Sequence, residues 1–166
     1  MKTKFNFKKN IFSNTYTIYE VDREIGFIKK NYFSQRTLAE LNGKKFLYNE
    51  KGFLNKETEI LDSENKTVGE IKYSSWSNKA FLKLFENKLS WQYENMWNTK
   101  WKIKNTNGNY IEFNSNGNIK ADQINDNEFE ILSGLFVYNR YQKAMIVVMI
   151  VIFTPIFLTN IFKLIN

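Results

Sequence analysis

The sequence has no cysteine, no histidine and a single proline. Without cysteine there is no disulfide framework, thiolate metal site, thiol nucleophile or cysteine acylation site, so redox chemistry does not decide the compartment. Without histidine as well, the side chains left for proton transfer or nucleophilic attack are carboxylates, lysine, tyrosine and serine, a poor set for catalysis at neutral pH. Arginine is confined to Arg23, Arg36 and Arg140, too few for a module that reads bases and phosphates. No nucleic-acid partner, cofactor or metal is expected. Asp122, Asp126 and Glu128 do not keep the spacing of a calcium loop.

Aromatic residues make up 17% of the chain, with fifteen Phe, nine Tyr and four Trp. This composition suits pleated, half-buried surfaces. The net charge of +7 and pI near 9.4 draw the chain toward anionic surfaces.

One long uncharged run breaks a chain whose mean hydropathy is −0.48. Ala144 to Leu158 reads AMIVVMIVIFTPIFL, and no charge lies between Lys143 and Lys163. Extended to Phe162 the run reaches roughly 28 Å as a helix, close to the hydrocarbon thickness of a bilayer. Residues 144–166 are therefore read as a transmembrane segment, with Ala144, Ile150, Pro155 and Phe162 along it. Pro155 is tolerable there if Thr154 or a neighbouring chain satisfies the carbonyl it frees. The N-terminus is basic but has no apolar core of a signal peptide. Arg140 and Lys143 before the run outnumber Lys163 after it, so the positive-inside rule places the preceding domain in the cytoplasm of a single-pass, C-terminally anchored cell-membrane protein.

From Thr15 to Asp122 the sequence alternates over five to eight residues at a time between polar clusters, the mark of an antiparallel meander. Eleven strands are expected, starting at Thr15, Glu24, Gln35, Lys44, Thr58, Thr67, Lys79, Lys88, Thr99, Asn109 and Asn118. Asn42-Gly43, Asn107-Gly108 and Asn116-Gly117 are tight-turn dipeptides. So many short strands must close or stack to hide their edges. Asn127 to Tyr141 then reads as a helix, with Glu128 and Glu130 in its first turn, Arg140 at its end, and Asn125 with Glu128 as a capping box. Its middle is apolar on nearly every side, so it is buried, and the barrel interior is the available place.

The fold expected is mainly β: a closed antiparallel barrel of about eleven or twelve short strands around a central hydrophobic helix, then a C-terminal transmembrane helix. Residues 1–14 are read as a basic-aromatic arm, disordered or lying on a membrane, and residues 15–143 as the barrel with its helix at 126–141. Ile131, Leu132, Leu135 and Phe136 are the helix's core positions.

This arrangement resembles the tubby C-terminal-like fold shared by tubby proteins, LURP-one-related proteins and phospholipid scramblases. The segments that carry it are ILDSENKTVGEIKYSSW (Ile60 to Trp76), WNTKWKIKNTNGNYIEF (Trp97 to Phe113) and EFEILSGLFVYNRY (Glu128 to Tyr141). The resemblance implies that the helix threads the barrel and plugs it. The chain departs from scramblases in lacking a proline-rich leader, a cysteine cluster and an acidic calcium segment.

Candidate headgroup ligands are two sets of lysines. Lys100, Lys102 and Lys104 alternate with Trp101 and Ile103 and so share one strand face; Lys2, Lys4, Lys8 and Lys9 are interleaved with Phe5, Phe7 and Phe12. The competing reading of the first set is an ordinary solvated sheet face. Trp76, Trp91, Trp97 and Trp101 are read as barrel core, and Glu57 with Glu59 as a water-facing acid pair beside a loop. The function expected is a non-enzymatic, membrane-tethered barrel that binds lipid headgroups or a membrane partner. The alternatives are scramblase-like lipid translocation and a structural or assembly subunit of a membrane complex, which would have a protein partner.

Overall fold

The computed structural model describes residues 3–10, 12–30, 34–51, 56–74, 77–121 and 127–165. Lys2, Trp76, Asp122, Asn125 and Asp126 lie outside the described residues, as does the Asn125 half of the capping box.

Twelve strands form one closed antiparallel barrel in which each strand pairs with its neighbours in sequence. They are β1 Thr3–Asn10, β2 Thr15–Glu20, β3 Arg23–Lys30, β4 Arg36–Leu41, β5 Lys44–Lys51, β6 Glu57–Leu61, β7 Thr67–Tyr73, β8 Lys79–Leu84, β9 Asn87–Tyr93, β10 Lys100–Asn105, β11 Tyr110–Asn114 and β12 Asn118–Ala121. The eleven strands expected from the sequence are β2 to β12. Closure removes every edge, so no row of backbone donors and acceptors is left to recruit another chain.

The strand that closes the barrel is the correction to the sequence reading. Within the segment read as an arm, Thr3–Asn10 form a strand: β1 fills the gap between β2 and β12, with Phe5 opposite both Glu20 and Ile119. The physical reason is the period-two pattern within KFNFK. Phe5 and Phe7 are buried while Asn6 and Lys8 face out, which is a strand's alternation and not a membrane-surface helix.

A twelve-stranded barrel is wider than side chains alone fill. Here a helix of about 10–12 Å diameter fills it. Helix α1, Glu128–Ile165, begins inside and leaves through one end. The Asn127 carbonyl accepts a hydrogen bond from Ile131 N at 3.0 Å, in the first turn of the helix. Phe129, Ile131, Leu132, Leu135, Phe136 and Val137 are all at most 5% exposed and join one core with Trp91, Trp101, Tyr48 and the inward residues of the strands. Burying each such side chain contributes about 1.5–3 kcal/mol before entropy is subtracted.

Polar groups on the buried part of the helix are met by the wall. Tyr48 Oη and Ser133 Oγ are 2.9 Å apart, and Tyr16 Oη donates to Asn139 Oδ1 at 3.3 Å. Trp91 Nε1 donates to the Gly134 carbonyl at 3.0 Å.

The separate plug and membrane segments expected from the sequence are one uninterrupted helix. Gln142 and Lys143 between them are good helix formers, and nothing there breaks the ladder.

Candidate functional site

The helix enters beside the turn joining β4 to β5, where Lys44 pairs with Glu128 at 3.0 Å, and leaves at the opposite end of the barrel. At that exit, the last inward register of the strands changes from apolar to charged and aromatic. Glu50, at the end of β5, is only 5% exposed and is bonded by Lys30 at the end of β3 and by Arg140 Nη1 at 3.1 Å. The Arg140 guanidinium also lies 4.0 Å from the centroid of the Tyr73 ring. Lys9 lies 5.4 Å from the centroid of the Tyr16 ring, and burial pushes its pKa down.

Lys143, the next cation along the helix, is held down to about 8, first by burial and then by repulsion from Lys30, with Glu50 opposing and Lys9 adding to the effect. Four cations thus meet one buried carboxylate in the mouth of the barrel, an excess of positive charge that an anion at the mouth would relieve.

Aromatic rings line the same mouth. Tyr138 stacks on Trp101 at 3.7 Å, Tyr141 stacks on Trp91 at 5.2 Å, and Tyr93 packs edge-on to both Trp91 and Tyr138. Tyr141 Oη donates to the Lys79 carbonyl at 2.6 Å. Between this helix face and the β7–β8 connection lies a cleft of about 420 Å³, apolar on the side of Ala144, Met145, Val148 and Met149 and polar on that of Ser74, Ser77 and Asn78.

Past Lys143 the environment of the helix changes abruptly. Every residue from Ile146 to Phe153 is between 52% and 67% exposed. Eight consecutive residues cover two full turns, so among the described residues no face of this stretch is buried by the barrel. The helix as a whole is long and apolar enough to cross a membrane. It continues through Pro155, where Thr154 Oγ1 donates to the Ile150 carbonyl at 2.7 Å. That carbonyl is one residue short of Val151, the partner a non-proline at 155 would have used.

The lysines singled out by sequence are scattered. Lys100, Lys102 and Lys104 do share the outer face of β10, but Lys102 is bonded to Glu94, and β11 sets Glu112 opposite it. Lys120 on β12 pairs with the same Glu112 at 3.7 Å. This stripe is a mixed-charge outer wall. Lys4 is placed opposite Lys120 on β1, and Lys8 lies 5.3 Å from the centroid of the Tyr19 ring on the outside. Lys9 of the N-terminal set reaches the mouth. Glu57 and Glu59 also face outward: Glu59 pairs with Lys51 at 3.0 Å, and the Thr67 hydroxyl beside it holds its carboxyl below the usual range.

Of the tryptophans, Trp91 and Trp101 are core, but Trp97 is 85% exposed, contrary to the sequence reading. It lies in the β9–β10 connection, where a large side chain has no inward strand position through which to reach the core.

What sequence reasoning missed is the mouth itself. Lys9, Lys30, Glu50 and Arg140 are far apart in the chain, and only barrel closure brings them to one ring. The available signal was parity: Lys30 and Glu50 sit two residues beyond Ile28 and Tyr48 on the inward face.

No family model, curated protein or solved structure matches this chain.

Proposed function

We propose that this protein is a non-enzymatic barrel domain tethered to a cell membrane by the C-terminal half of its helix, with the barrel on the cytoplasmic side and its helix-exit end turned toward lipid headgroups. One observation carries the reading: a single helix passes from complete burial at Leu135 to exposure on all sides at Ile146 while staying apolar. A soluble protein has no reason to leave such a surface in water, since contiguous exposed apolar patches mark contact with a membrane or partner. The barrel interior is occupied by α1, so a water-filled passage is not what the fold offers, which favours binding over translocation. The cations at the exit agree with a cytoplasmic location. Kinship with the tubby-like barrels belongs to the same proposal, and a helix threaded through a twelve-stranded barrel supports it.

The test is reconstitution of the full-length chain with phospholipid vesicles. Flotation with the vesicles through both high salt and urea is expected, with no acceleration of lipid exchange between leaflets. A monodisperse chain that stays in the aqueous phase without detergent would overturn the reading.

A further inference from the structure

The two ends of the barrel differ in ways that a tether alone does not require. At the helix-exit end, two connections hold large apolar side chains out in solvent. Phe12, between β1 and β2, is 95% exposed, and Met96 and Trp97, between β9 and β10, are 96% and 85% exposed. The corresponding residues at the other end, Val21 and Phe85, are less exposed and occupy tight turns with positive φ.

The β9–β10 connection is also fixed to the start of the apolar helix segment. Asn98 Nδ2 lies 3.6 Å from Met145 Sδ, which sets the neighbouring Trp97 at the level where the helix sheds its protein cover. A membrane that receives the helix from Ala144 onward therefore has its surface beside Trp97.

Charge is divided along the same axis. The strand ends and connections at the exit carry exposed Arg36, Lys51, Lys56, Lys79 and Lys100 against Glu57 and Glu94, beyond the four cations in the mouth. The opposite end gathers Glu20, Asp22, Asp62, Glu64, Glu86 and Glu128 among its basic residues. Among the described residues, bases therefore outnumber acids at the end where the helix leaves.

We propose that the helix-exit end is a docking face for a bilayer bearing anionic phospholipid. Trp97, Met96 and Phe12 enter the interfacial layer, and the surrounding lysines and arginines sit among the phosphates. Tryptophan and phenylalanine favour this layer because their rings leave water while the chain beside them stays hydrated. Basic residues near the surface add attraction that depends on lipid charge and is screened by salt. The inference rests on the tethered-barrel reading and deepens it, since a tether requires only that the exit end face the membrane whereas docking seats it flush on the lipid.

The experiment uses the full-length chain in vesicles of phosphatidylcholine, with or without phosphatidylglycerol, whose acyl chains are brominated near the glycerol. Bromine quenches tryptophan only at short range. Trp91 and Trp101 are shut inside the barrel and Trp76 is common to both chains, so the quenching lost in Trp97→Phe reports residue 97. The expected result is a quenched component that disappears in Trp97→Phe and is stronger with phosphatidylglycerol. The variant Lys79→Glu with Lys100→Glu should reduce it to the phosphatidylcholine level. If the chain floats with vesicles but Trp97→Phe leaves quenching unchanged, the docking face is overturned and the tether stands. If Trp97 is shielded from acrylamide yet untouched by brominated lipid, a protein or second copy covers the face, and the proposal is again overturned. If the chain does not float, both readings fall.

Discussion

A β-carbon added at Gly134, in the middle of the buried helix, would stand 2.6 Å from Cζ of Phe113 on β11. The ring cannot retreat. Phe113 is 3% exposed and stacks on Trp101 at 5.5 Å, which is itself stacked on Tyr138. The glycine is there so that helix and wall can touch. Alanine would gain about 1 kcal/mol of helix propensity, but overpacking costs about 1–3 kcal/mol and also strains the bond from Trp91 to the Gly134 carbonyl. Gly134→Ala is therefore expected to lower the urea midpoint of the full chain in detergent, and to do so less when Phe113 is also changed to Leu. A midpoint raised by Gly134→Ala would mean that the helix does not approach β11 so closely.

Leu135, the next residue of the same plug, is fully buried. Leu135→Asp would place a carboxylate in the apolar core, at a cost beyond about 4 kcal/mol, a large fraction of a domain's stability of about 5–15 kcal/mol. Loss of near-ultraviolet circular dichroism is expected, with Leu135→Met retaining it. A folded, wild-type-like Leu135→Asp would contradict the plugged barrel.

Glu50 is the acidic member of the mouth and binds both Lys30 and Arg140. Glu50→Gln leaves two cations facing each other in a poorly hydrated ring and is expected to destabilise by about 3 kcal/mol. Changing Lys30 to Met in the same chain should recover part of the loss, a coupling that a double-mutant cycle measures. Strictly additive effects would show that the three side chains do not act together.

Six tyrosines on the barrel wall and helix have their pKa raised by burial: Tyr16, Tyr48, Tyr73 and Tyr138, with Tyr93 and Tyr141 pushed up to about 12. The neutral form is the one the fold accommodates. Their contribution to stability is therefore fully present below the unfolded value, near 10, and is lost as pH rises through about 12 and above. Denaturation midpoints should be flat with respect to these groups on the acid side and fall on the alkaline side. A midpoint still rising through that alkaline window would reverse the sign argued here.

Local order was legible in the sequence wherever it depended on neighbours along the chain. Strand alternation identified β2 to β12, because a meander pairs each strand with the next and turn residues mark the joints. Asn42-Gly43 adopts positive φ at both positions as expected. The turns at Val21 and Phe85 carry no such mark, because both residues adopt positive φ without being Gly or Asn. The start of the chain was misread because β1 owes its place to β12, more than a hundred residues away, and lysine density masked its alternation. The mouth of the barrel was not legible for the same reason: Lys9, Lys30, Glu50 and Arg140 become neighbours only on closure.

The central claim is that one helix serves two solvents, protein up to Lys143 and lipid beyond it. The most direct measurement is cell fractionation of the full-length chain beside a chain ending at Lys143. The full-length protein is expected in the membrane fraction and resistant to salt and urea, since the exposed stretch from Ile146 onward has nowhere else to go. The shortened chain keeps Phe129 to Val137 inside the barrel and is expected to be folded and either soluble or released by salt. A full-length chain found soluble, or a shortened chain that unfolds, would show that the segment after Lys143 belongs to the barrel's own fold and not to a membrane.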